Sequence, residues 1–178
     1  MMFITFIPWL LFWLLLILHK AEPAAVMGCI ASLAIVITNS VKGKSIKPMQ
    51  VMTLLFFIVL SVRAIFSDLE QHWLWMRIAN MLYLALIALI SILLKQPFTL
   101  QYAREQVPKK MWQDPEFIKT NYIVSWAWFF VFIACLIIPV SRLFGFNPPR
   151  ALGSAFSIVS VLAVSKFSEW YAKRRKVK

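Results

Sequence analysis

A chain of 178 residues that is 61% hydrophobic and only 15% charged departs far from the soluble average of about 45–50% apolar and about 25% charged residues, which argues against a water-soluble fold. So large an apolar surplus also excludes disorder. The net charge of +12 does not point to nucleic acid, because Lys and Arg lie between apolar runs instead of forming one patch interleaved with aromatic residues.

Crossing a hydrocarbon core about 30 Å thick takes about 20 mostly apolar residues at about 1.5 Å each. Six stretches approach or meet this requirement: about 2–18, 22–40, 49–67, 74–94, 122–144 and 151–170. They predict an all-α, polytopic transmembrane bundle of six helices, forming a single domain over 1–178. The first run, MFITFIPWLLFWLLLIL, lacks a positive leader, and His19, Lys20 and Glu22 stand where a signal peptide has its small-residue cleavage site, so it reads as a retained helix. It is short, and the second run is diluted by Ala, Ser, Thr and Gly. Either could be tilted, re-entrant or interfacial, so five spans remain an alternative.

Lys and Arg in the short connections set the orientation. Fourteen fall in the 41–48 loop, the 95–121 loop and the C-terminal region; five, Lys20, Arg63, Arg77, Arg142 and Arg150, fall on the other side, near Glu22, Asp68 and Glu70. Six spans place all three basic segments and both termini on the cytoplasmic side, whereas five would move the N-terminus outside. The expected location is a bacterial inner membrane, with anionic lipid headgroups as partners and no nucleic acid. The tail 171–178, which contains KRRKVK and follows Trp170, reads as a juxtamembrane electrostatic anchor.

The connection 95–121 is not a simple linker. Pro97, Pro108 and Pro115 divide it, each restricting the residue before it. Between the first two, Thr99 to Gln106 can make one or two helical turns with Thr99 as N-cap. Phe98, Tyr102, Trp112 and Phe117, together with Arg104, Lys109 and Lys110, suit a segment lying in the headgroup layer. Beyond this anchoring role, Arg104, Glu105, Trp112 and Asn121 are the candidate contacts for a lipid headgroup or a partner protein.

Elsewhere the sequence offers little chemistry. Arg63 and Arg77 lie near helix ends beside Asp68 and Glu70, where snorkelling and local pairing account for them. His19 and His72 form a bare pair without HxxxH spacing or a third ligand, and Cys29 and Cys135 lie in separate apolar runs without CxxC spacing, so no cofactor, metal or disulfide is expected. Neither GxSxG, HExxH nor a glycine-rich phosphate loop is present. Helix packing is more legible: Ala24, Gly28 and Ser32 on the second run, and Gly153 and Ser157 on the sixth, form small-xxx-small faces. Such faces suit packing within the bundle or against another membrane protein, including a second copy in a homo-oligomer.

The stretch from Lys95–Pro97 through Pro108 and Trp112 to SWAWFFVFIACL at 125–136, with FIPWLLFWLLL at 6–16, resembles the intracellular septation protein A family of small polytopic bacterial inner-membrane proteins. The resemblance implies a non-enzymatic role in cell-envelope growth and septation through contacts with division and elongation proteins in the membrane. It ties Lys95, Pro97, Trp112, Trp126 and Phe129 to structure or interaction and assigns no catalytic residue. The competing class is a small lipid-handling enzyme or transporter using the 95–121 loop. A redox or haem protein is a third, and would show as colour in purified material.

Overall fold

The structure is a computed structural model describing residues 2–18, 20–69 and 72–176, and among these every regular element is helical. His19, Glu70 and Lys178 lie outside the described residues, as do the side chains of Arg150, Arg175 and Lys176.

The first apolar run is two pieces, α1 (Met2–Thr5) and α2 (Ile7–Ile17). The break at Phe6 follows from Pro8, whose missing N–H cannot bond back one turn and whose ring suits the first turn of a new helix. With 11 residues, α2 rises only about 16 Å. Its position explains why so short a helix is so aromatic. Trp9 and Phe12 are 0% exposed and Phe6 and Trp13 1%, so this face of α2 is packed into the bundle, while Ile7 and Leu14 on its other face stay exposed at 41 and 50%. Phe6 stacks on Trp128 at 4.4 Å, Trp9 sits 5.0 and 4.9 Å from Phe56 and Phe57, and Trp13 donates its indole N–H to Asn80 at 3.4 Å.

The bundle it joins consists of α3 (Ala21–Val41), α4 (Pro48–Phe66), α5 (Trp73–Leu93), α7 (Pro115–Ala134) continued by α8 (Ile137–Ser141), and α9 (Arg150–Lys176), with α6 (Phe98–Arg104) between α5 and α7. Five segments are long and apolar enough to cross a membrane: α3, α4, α5, Pro115–Phe144 and Ala151–Arg174. The bend between α7 and α8 has a local cause, since Pro139 has no N–H to give the carbonyl of Cys135. Because α3, α4, α5, α7 and α9 cross in succession, the basic segments 42–47, 95–114 and the end of α9 share one end of the bundle. Ile4 and Thr5 border a cavity at that end together with Lys42, Lys44 and Lys47. At the opposite end, the Leu69 N–H donates to the Glu22 carboxylate at 3.0 Å. The N-terminal run therefore enters from the basic end.

The lateral surface is apolar. On α3 the small residues Ala21, Ala24, Ala25, Gly28 and Ser32 face inward while Val26, Met27, Ile30, Leu33 and Ile37 face out, an arrangement suited to lipid. The inward glycines make room for side chains. A Cβ on Gly28 would run into the ring of Phe57, and one on Gly153 would lie 2.6 Å from the Arg77 guanidinium. Arg77 is 5% exposed, so instead of snorkelling outward it enters the bundle over Gly153. Gly28→Ala is expected to cost about 2 kcal/mol through overpacking, and Phe57→Leu in the same chain should recover most of the loss. Unfolding in detergent–SDS mixtures measures both.

Several boundaries differ from the sequence expectation. The helix expected from 122 begins at Pro115, because Asp114 caps it by accepting from the Phe117 N–H at 2.9 Å, with Pro115 in the first turn. The C-terminal helix runs through the basic tail to Lys176, with Arg174 over the Trp170 ring at 5.1 Å. Thr99 does not cap α6. It lies one residue inside, and its hydroxyl donates to the Asn121 carbonyl at 2.8 Å and lies 2.7 Å from the Ser125 hydroxyl, fastening α6 to α7.

Candidate headgroup site at the basic end

The segment 95–121 is folded against the bundle. Lys95 closes α5 in the left-handed region, φ 57°, with its N–H on Ile92 and that of Gln96 on Ser91, both at 3.0 Å, a helix end that glycine more often occupies. Pro97 then turns the chain into α6, whose Phe98, Thr99, Leu100 and Tyr102 are buried. Pro108 precedes a 3-10 turn, Lys109–Met111, that carries its two lysines outward.

The four residues expected to make headgroup or partner contacts do not converge on one point. Arg104 and Trp112 form a pair: the guanidinium lies 5.6 Å from the indole centre, and the Trp112 N–H donates to the Arg104 carbonyl at 3.1 Å. The Nε of Arg104 is buried without a hydrogen-bond partner among the described residues. Asn121 lies beneath α6 at 7% exposure, its amide donating to the Phe117 carbonyl at 2.8 Å and its own carbonyl taken by Thr99; this is helix-to-helix fastening. Glu105 turns the other way and meets Lys47 at 2.7 Å.

That ion pair leads to the site. Lys47 precedes α4, where its N–H donates to the Gln50 side chain at 3.3 Å. Its ammonium passes over the Tyr102 ring at 4.8 Å to reach Glu105. Beside it is a cavity of about 230 Å³ lined by Thr5, Thr38, Asn39, Lys42, Lys44, Gln50, Tyr102 and Glu105 at its polar part and by Ile4, Ala34 and Ile35 at its apolar part. Burial pushes the Tyr102 phenol well above its usual pKa; the Thr5 side chain opposes the rise slightly and the Glu105 carboxylate adds to it. Thr5 is thus near, yet no group among the described residues meets hydrogen-bond geometry at the Tyr102 hydroxyl.

Sequence reasoning found Glu105 but missed its setting. The three lysines of KGKSIK carry a topology signal, and nothing in their spacing shows that the following proline-led helix turns one of them inward. The other candidate groups are structural in placement. Ala24, Ser32 and Ser157 are buried beside the glycines. Trp126 sits on the outer face with Phe129 and Phe130 at 5.5 and 5.8 Å. His72 meets the Asp68 carbonyl at 3.1 Å. Among the described residues no three of His, Cys, Asp and Glu gather as metal ligands, and both cysteines are free.

Five membrane-length apolar helices, packed with a short helix whose aromatic face is buried, define a multi-pass α-helical membrane protein. No described protein family, curated protein or solved structure matches the chain.

Proposed function

We propose that this chain is a non-enzymatic interaction protein of a bacterial inner membrane, serving envelope growth and septation by docking membrane-embedded partners on its cytoplasmic, basic end. The observation that carries the proposal is the folded state of 95–121. Three prolines, the Thr99–Asn121 bond and the Arg104–Trp112 pair hold a basic, aromatic segment in one shape, which lowers the ordering cost of binding a partner. The resemblance to septation protein A supports the choice of partner, and the excess of Lys and Arg at this end supports the orientation. The cavity beside Glu105 favours a second function, lipid handling or transport, because its lining suits an amphiphile.

Crosslinking in living cells from a photoreactive residue at exposed Lys110 tests the proposal. Capture of division or envelope-synthesis membrane proteins is the expected result; adducts with lipid alone would shift the assignment to lipid handling.

A further inference from the structure

We propose that the cavity at the basic end is a binding site for a phosphate ester, the headgroup of an anionic glycerophospholipid, held by Lys42, Lys44, Lys47 and the Tyr102 hydroxyl. The site lies apart from the outward Lys109–Trp112 surface and stands whether or not that surface docks a protein.

Charge is the first argument. Lys42, at an exposed position, Lys44 and Lys47 line one cavity of about 230 Å³ whose carboxylate, Glu105, is paired with Lys47, and such a basic rim at the edge of a low-dielectric bundle attracts an anion. The second argument is the unfilled donor. Tyr102 is 2% exposed, and its hydroxyl, buried with no group in hydrogen-bond geometry among the described residues, lies among cavity-lining groups next to Thr5 and Glu105. Buried hydroxyls are normally satisfied, and a phosphate oxygen in the cavity is the acceptor this one lacks. Thr5, Thr38, Asn39 and Gln50 supply further polar groups around the same space.

The third argument distinguishes a lipid from a free anion. Ile4, Ala34 and Ile35 continue the lining, and Ala34 and Thr38 are exposed on the outer side of α3. Ala34 is about two turns inside the end of α3 at Val41, so the cavity opens sideways as well as toward water. A headgroup can enter from the leaflet with its phosphate on the lysines and its glycerol along the apolar wall.

The test uses the full chain in nanodiscs of phosphatidylcholine containing a minority of phosphatidylglycerol, with lipid retention read by native mass spectrometry. Lys42→Gln with Lys44→Gln is expected to lower phosphatidylglycerol retention at least about tenfold, and Tyr102→Phe about tenfold, the scale of a charge-assisted hydrogen bond. Lys109→Gln with Lys110→Gln removes the same charge from the same end and should change retention little. Lys44 makes other contacts within the fold, so Lys42→Gln alone, at an exposed position, must reproduce the direction of the effect. Equal losses in the cavity and control pairs, or unchanged retention in Tyr102→Phe, would overturn the site. Phosphorus NMR with inorganic phosphate and glycerol phosphate separates the sources. Weak binding of both supports the lipid; binding of inorganic phosphate as tight as that of the lipid, lost with the lysine pair, overturns the lipid assignment in favour of a soluble anion.

Discussion

Trp9→Ala is expected to destabilise the protein by about 3 kcal/mol, among the largest effects of any single truncation. In a bilayer both folded and separated helices keep their apolar surface out of water, so the loss comes from packing and not from transfer. Trp9 is fully enclosed, touches Phe56 and Phe57, and donates its indole N–H to Thr53 at 3.3 Å; removing it leaves a void between α2 and α4 and an unanswered hydroxyl. Val59→Ala, at a side chain 68% exposed on the lipid face, should change stability by less than about 0.5 kcal/mol. Reversible unfolding in detergent–SDS mixtures reads both. Equal effects at the two positions would mean that the aromatic face of α2 is not packed in the bundle.

Glu105→Ala should cost about 2–3 kcal/mol. The Lys47 side chain is 5% exposed and its partner 25%, so losing the carboxylate strands a charge that water reaches poorly, and the partial exposure of Glu105 places the penalty below that of a fully buried pair. Lys47→Met with Glu105→Met should lie within about 1 kcal/mol of the unmodified chain, since no charge then has to be desolvated. Part of the Glu105→Ala deficit should return when phosphatidylglycerol is added, the ligand's charge standing in for the carboxylate. The same unfolding assay, with and without the anionic lipid, measures all three.

The long helices were legible because a span announces itself by length and hydropathy alone, and their order follows from parity. The rank of α2 was not. FIPWLLFWLLL is apolar on every side, so hydropathy does not separate its protein-packed face from its exposed one; the positions of Trp and Phe are the available cue, since only close neighbours use such large rings fully. Likewise the glycine spacing marked close approach but not the approaching group, a Phe57 ring in one case and the Arg77 guanidinium in the other. In 95–121 the three prolines located the breaks correctly. The partner of Glu105 escaped notice because Lys47 lies 58 residues away, and no local pattern encodes a contact across that distance.

The packing of α2 has a consequence for how the chain is made. The helices it packs against most, α3 and α9, are synthesised after it, and α9 comes last of the described helices. During insertion α2 meets α3 first and its α4 and α5 partners next, and the native bundle closes only when α9 reaches it. A chain halted before α9 already holds the partners of Trp9, Phe12 and Trp13 on α4 and α5, but it leaves the Trp128 indole without Ser168 and the Arg77 guanidinium without the glycine face it lies over; those are the polar groups open to whatever membrane chaperone or protease surveys unfinished bundles.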